Sequence, residues 1–216
     1  MLEKVPSIYN ILTESIDVQG FDMEEFKKLT TFQNRVNYCD TRLERLNAGS
    51  ARVVYKISND KVLKLAKNKK GLAQNEVEID QGRQPYLKGI VAQVFEFEPN
   101  NLWLTVQYYT PINKIDFKNI VGIDFNDYWD ILQYEDYTIH PAKYRLAVTK
   151  ITPPKIEGYW ENEFVSNILD YIAGYDLPIG DLQQLSSYGK TSDGDIVVID
   201  YGFNEDVSKL YARKRI

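Results

Sequence analysis

The sequence predicts an α+β protein with an antiparallel sheet in its first half and mainly helices in its second. Three observations predict it. Between Arg42 and Tyr109, five short runs rich in β-branched and aromatic residues surround one helical run, in the order strand, strand, strand, helix, strand, strand. Ser58-Asn59-Asp60 and Pro99-Asn100-Asn101 punctuate them as hairpin turns. Beyond residue 110 the longest regular pattern is helical, with Phe164, Val165, Ile168, Leu169 and Ile172 on one stripe.

Residues 1–41 are expected to form an N-terminal helical extension packed on the adjoining domain. In DMEEFKKLTTFQNRV, Asp22 and Glu25 stand at capping-box spacing, and Met23, Phe26, Leu29 and Val36 share a face. Residues 42–109 form the sheet unit. RLERLNAG, SARVVYKIS and KVLKLAK are its first three strands, KGLAQNEVEIDQG is a helix ending near Gly82, and IVAQVFEFE and LWLTVQYY form a hairpin. Residues 110–216 form the helical part. FNDYWDILQYED reads as a helix, and ITPPKIEGY as a loop because Pro153-Pro154 blocks helix. ENEFVSNILDYIAGY is a helix that Gly174 stops, and DIVVIDYG is a short buried strand after a turn holding Asp193 and Asp195.

The totals exclude several function classes. The 216 residues suit one sizeable domain or a small two-lobed one. Net charge is −5, from 26 basic and 31 acidic residues, with no long basic run, which argues against nucleic-acid binding. Only Lys209 with Arg213-Lys214-Arg215 is locally basic, and it reads as a solvated helix end. With one cysteine, Cys39, the chain forms no internal disulfide and no multi-cysteine zinc site. One histidine, His140, leaves no histidine cluster for a metal, and it reads as an ordinary polar residue. No leader or membrane span is evident, so a cytoplasmic location is expected.

Four places carry possible chemistry. In LNAGSARVVY, Gly49 and Ser50 sit in a turn that is either an ordinary hairpin or one whose N–H groups approach a phosphate. Lys64 lies between Leu63 and Leu65; it is a solvated strand lysine or, if buried, needs an anion. Glu76 and Glu78 lie on the next helix, as surface charges or as partners for Lys64. Asp181 comes after Gly180 in a loop, and Asp200 ends the DIVVID strand, a position that suits Mg²⁺. The plain alternative is two turn aspartates flanking a core strand.

Taken in order, small-residue turn, strand lysine, helix glutamate, paired strands, long helix, loop aspartate, strand and Asp-Tyr-Gly resemble the protein-kinase fold over residues 42–205. The wording of GSARVVYKI, VLKLAKNKKGLAQNEVE, DLQQLSSYG and VVIDYGF is also similar to small kinase-fold proteins encoded in bacteriophage genomes, which would place the chain in a host cytoplasm. The resemblance implies a two-lobed fold, a five-stranded N-lobe on a truncated helical C-lobe, that binds ATP and Mg²⁺. It implies Gly49 and Ser50 over the phosphates, Lys64 on them, and Glu78, or Glu76, as its helix partner. It implies Tyr108 and Tyr109, in QYYTPI, at the adenine, Asp181 as catalytic aspartate, and Asp200 as metal ligand.

The chain departs from the family pattern in four ways. Asn47 and Arg52 occupy two of the three glycine places; Gly180 stands where the family has arginine. Ser186 replaces the metal-binding asparagine, with Ser187 or Gln184 as substitutes. Only thirteen residues come after Phe203, so the usual platform for a protein substrate is not expected; residues 1–41 and 110–158 are candidates to replace it. Two functions are compatible with this pattern. One is an ATP- and Mg²⁺-dependent phosphotransferase acting on a protein or small molecule. The other is a pseudokinase that binds nucleotide or a protein partner. A third possibility is an unrelated fold in which the motifs coincide by chance.

Overall fold

The computed structural model describes residues 20–144 and 151–212. Part of the expected N-terminal extension, residues 1–19, and the basic tail Arg213-Lys214-Arg215 lie outside them. The expected α+β architecture is observed. A five-stranded antiparallel sheet has the order β1-β2-β3-β5-β4, formed by β1 (Glu44–Ala48), β2 (Arg52–Lys56), β3 (Lys61–Ala66), β4 (Val94–Phe97) and β5 (Trp103–Gln107). A three-stranded sheet, β6 (Thr110–Pro111), β7 (Tyr188–Lys190) and β8 (Ile196–Val198), belongs to the second half. No described helix is long and apolar enough to cross a membrane.

The N-terminal stretch forms two helices rather than one. Helix α1 (Met23–Lys28) is capped by Asp22, which accepts from the N–H groups of Glu24 and Glu25. Glu25 does not close a capping box; its carboxylate accepts from the Tyr38 hydroxyl, which itself accepts from the Asp22 N–H. The chain turns extended at Leu29, and Thr31 caps a second helix, α2 (Phe32–Asp40). A threonine side chain that takes the Asn34 N–H starts a new helix in place of continuing the old one.

These helices cover the outer face of the sheet. Val53, Tyr55, Leu63, Leu65 and Trp103 pack there with Phe26, Val36, Cys39 and Leu43. The described part of residues 1–41 thus backs the sheet. Burial among these apolar side chains pushes the Cys39 thiol up to about 12, so it is an inert core residue. The residues of opposite parity, Val54, Val62, Leu104 and Val106, face the other way, toward Ile79 of helix α3 (Lys69–Gln81). Both faces are covered, which is why five of the six residues of β3, Lys64 among them, are buried.

The second half packs around α4 (Lys114–Val121), α5 (Phe125–Ile139) and α6 (Glu163–Tyr175). Phe117, Phe125, Tyr128, Phe164 and Tyr188 meet edge-on or tilted, with ring centroids 5.0–6.3 Å apart. Helix α6 runs one residue past Gly174; Asp176 takes the left-handed conformation that ends it. Helix α7 (Glu205–Ala212) then returns to lie along α3, with the Lys70 ammonium 3.5 Å from the centre of the Tyr211 ring.

Candidate active-site cleft

A cleft of about 490 Å³ opens between the sheet and the second half, a size within the range of small-molecule sites. Gly49, Ser50, Lys64, Tyr108, Tyr109, Ser186 and Asp200 all line it. The turn bearing Gly49 and Ser50 is fastened from behind. Lys67 Nζ donates to the Gly49 carbonyl at 2.6 Å and Asn68 Nδ2 to the Ser50 carbonyl at 2.9 Å. Asn68 also caps α3, so one side chain ties the turn to the helix that carries Glu78. A Cβ at Gly71 would stand 2.3 Å from the Ala51 carbonyl, so only glycine lets α3 come this close to the turn.

Lys64 faces the cleft, opposite Val54 in the β2–β3 register. It is buried, and its ammonium donates to both carboxylate oxygens of Glu78, at 2.9 and 2.7 Å, and to the Ile199 carbonyl at 3.0 Å. The geometry decides between the two helix acids: Glu78 is fully buried and Glu76 is exposed. Burial lowers the Lys64 pKa against the pull of Glu78, with the positive charge of Arg52 adding to the lowering.

Arg52 joins the charged residues of the cleft in a way the sequence does not reveal. It is buried, and its guanidinium bridges the network: Nη1 donates to Glu78 Oε1 at 2.7 Å and Nη2 to Asp200 Oδ1 at 2.8 Å. A third, longer contact reaches Asn75 Oδ1 at 3.5 Å. Burial acts against the Arg52 charge, but the carboxylates of Glu78 and Asp200 outweigh it and hold the guanidinium ionised. For Asp200, loss of hydration inside the cleft acts to raise the pKa, and Arg52 with Lys64 brings it below the ordinary carboxylate value. The glycine of Asp-Tyr-Gly has a packing reason: a Cβ at Gly202 would meet the Gln74 carbonyl at 2.8 Å and Glu78 Oε1 at 3.1 Å. Tyr201 is buried beneath α3, where its hydroxyl donates to the Ala92 carbonyl.

Asp181 lies in the turn after α6, close enough to feel Asp200 and Arg52. Burial, with the negative charge of Asp200, raises it to about 6 against the opposing pull of Arg52. Its turn is pinned from β7. The Asp181 carbonyl accepts from the Ser187 hydroxyl at 2.6 Å and the Gln184 N–H at 3.0 Å, and the next carbonyl, Leu182, accepts from the Tyr188 hydroxyl at 2.7 Å. Tyr188 in turn meets the Tyr128 hydroxyl at 2.8 Å, so the aromatic core of the second half sets where Asp181 sits. Tyr108 and Tyr109 link β5 of the large sheet to β6 of the small one and line the cleft.

The expected Mg²⁺ ligand Asp200 is already paired with a cation of the chain. Asp200 already spends one oxygen on a guanidinium, whose charge would repel a divalent ion at the same carboxylate. Ser186 lines the cleft, but the Ser187 hydroxyl is committed to the Asp181 carbonyl. Among the described residues no three His, Cys, Asp or Glu side chains gather into a metal-binding group. The donor set around Asp200 does not fit a divalent ion while Arg52 stays bound to it.

No protein-family model matches the chain, and no curated protein matches it. Among solved structures, it is similar to the GDP and kanamycin complex of APH(2")-IIia, at 15% identity over 83% of this chain and 70% of that one, with a TM-score of 0.37. It is similar to the streptomycin–ATP–APH(2")-IIa ternary complex, at 13% identity over 82% and 72%, with a TM-score of 0.38. A choline/ethanolamine kinase family protein from Mesorhizobium loti is 16% identical over 82% of this chain and 63% of that one, with a TM-score of 0.37.

Proposed function

We propose that the chain has a protein-kinase-like fold whose cleft binds a nucleoside triphosphate, ATP in the first instance, and transfers its terminal phosphoryl group to an acceptor hydroxyl. The observation that carries this reading is the buried Lys64–Glu78 pair, which holds an ammonium beside Asp200 at the cleft wall. In this reading Lys64 meets the phosphates, the Gly49–Ser50 turn covers them, and Tyr108–Tyr109 borders the base. Asp181 faces the acceptor. The acceptor oxygen forms a bond to the terminal phosphorus, the bond from that phosphorus to the bridging oxygen breaks, and ADP leaves. The hydroxyl proton passes to Asp181, whose pKa of about 6 suits a base working near neutrality.

Binding and turnover of ATP by the native chain test the reading. Asp181→Ala should bind ATP as the native chain does and lose turnover by about 10²–10⁴-fold; Lys64→Ala should lose binding. Undiminished turnover in Asp181→Ala would remove that residue's role, and a native chain that binds no nucleotide in any condition would end the reading. A second reading, nucleotide binding without transfer, is favoured by the Arg52–Asp200 pair and by Ser186 in place of a carboxamide. It predicts ATP binding with no turnover for any acceptor.

A further inference from the structure

We infer that Arg52 takes the charge-compensating place of a divalent cation, so that the cleft binds nucleoside triphosphate without Mg²⁺. The inference rests on the nucleotide reading above and goes beyond it. Four ionised side chains converge from separate elements: Arg52 from β2, Lys64 from β3, Glu78 from α3, and Asp200 from the segment after β8. Two are positive and two negative. Without Arg52, Lys64 alone would face both carboxylates, and a polyphosphate approaching the unpaired Asp200 would need an added cation between them. With Arg52 in place, Asp200 is neutralised from within the chain.

The position is built rather than incidental. Arg52 shares strand parity with Val54, the register partner of Lys64, so its side chain is directed to the cleft face. Its guanidinium lines the cleft while Glu78 and Asn75 hold it from behind. Its hydrogen bonds to Glu78, Asn75 and Asp200 use three of the five N–H donors a guanidinium carries. The planar fork matches phosphate oxygens as well as carboxylate ones. The two N–H groups left over can meet a phosphate while Asp200 stays paired, and Glu78, fully buried, keeps the arginine in place.

The experiment is equilibrium binding of ATP to the full chain by calorimetry, in EDTA and in excess Mg²⁺, for the native protein and for Arg52→Gln and Arg52→Lys. The native chain should bind in EDTA with an affinity little changed by Mg²⁺. Arg52→Gln should bind in EDTA roughly ten- to hundredfold more weakly, the range for one charge-assisted hydrogen bond, and should regain affinity when Mg²⁺ is added, because Asp200 is then free to take it. Arg52→Lys should keep part of the metal-free binding. Native binding that appears only with Mg²⁺ overturns the inference and leaves the nucleotide reading standing, as does Arg52→Gln binding in EDTA as tightly as the native chain. No binding by the native chain in either buffer overturns both. Should Arg52→Gln fail to fold, the two native measurements decide alone.

Discussion

Glu78 and Phe117 are both fully buried, yet the molecule spends the two burials differently. Phe117 sits among Phe125, Tyr128, Phe164 and Tyr188, rings from α5, α6 and β7 that gain by leaving water and ask nothing more. Glu78 gives up its hydration and recovers it only through Lys64 and Arg52. A buried ion cluster is rarely the more stable choice, since apolar residues of similar volume often serve as well or better. What apolar residues cannot do is meet an incoming anion. In the proposed reading, the aromatic cluster serves stability and the Lys64–Glu78–Arg52–Asp200 cluster meets the ligand.

Two substitutions of similar size break this comparison if it is wrong. Phe117→Ala should destabilise the protein by about 3–5 kcal/mol, the usual loss for a buried aromatic. Glu78→Gln, which leaves two buried cations without their shared carboxylate, should destabilise it by about 3–5 kcal/mol as well. Urea unfolding with and without ATP separates them. Polyphosphate should restore part of the stability lost in Glu78→Gln, because it supplies the anion that is missing. In Phe117→Ala it should add only what it adds to the native chain through mass action. Equal responses to ATP would mean that the charged cluster is structural and not a ligand site.

The difference between the regions also marks what the sequence made legible. Strand turns and alternation around Lys64 are enough to pair β2 with β3 and to bring Glu76 or Glu78 of the next helix within reach of Lys64, because strand parity and helix spacing are local properties; the packing of α3 selects Glu78. By sequence alone Arg52 only fills the place of a glycine. Its parity with Val54 was available and would have directed it to the cleft face; its bonds to Glu78 and Asp200 depend on how α3 and the segment after β8 pack, across 26 and 148 residues of chain. Ser187, in a short turn, and Tyr188, in a three-residue strand, are illegible as supports for Asp181 for the same reason: elements this short show no period, and Tyr188 gains its worth from its contact with Tyr128. The short elements α4, β6 and β7 are too brief to show a period, and the break at Leu29–Thr31 is hidden by a helical pattern that continues across it.

The smallest effect sharpens the comparison most, because it sits where the two regions join. Asp181 is held by the aromatic side, through Ser187 and Tyr188, and raised to about 6 by burial and by Asp200 on the charged side. Its folded value lies above the ordinary 3.8, so the folded state keeps a proton that the unfolded chain releases. The contribution to stability is fully present below about pH 4 and is lost as pH rises through about 6. At about 1.4 kcal/mol for each pH unit between the two values this is at most about 3 kcal/mol, and contact with solvent reduces it to about 1–2 kcal/mol. Asp181→Asn, which has no proton to lose, should therefore be more stable than the native chain by about 1–2 kcal/mol at pH 8, with the gap closing toward pH 4. Turnover in the native chain should run the opposite way, rising with pH through about 6 as Asp181 becomes a base. A stability difference that stays flat across this range would mean the carboxyl is not set by its surroundings, and the aromatic side would then hold an ordinary surface aspartate rather than one half of a site.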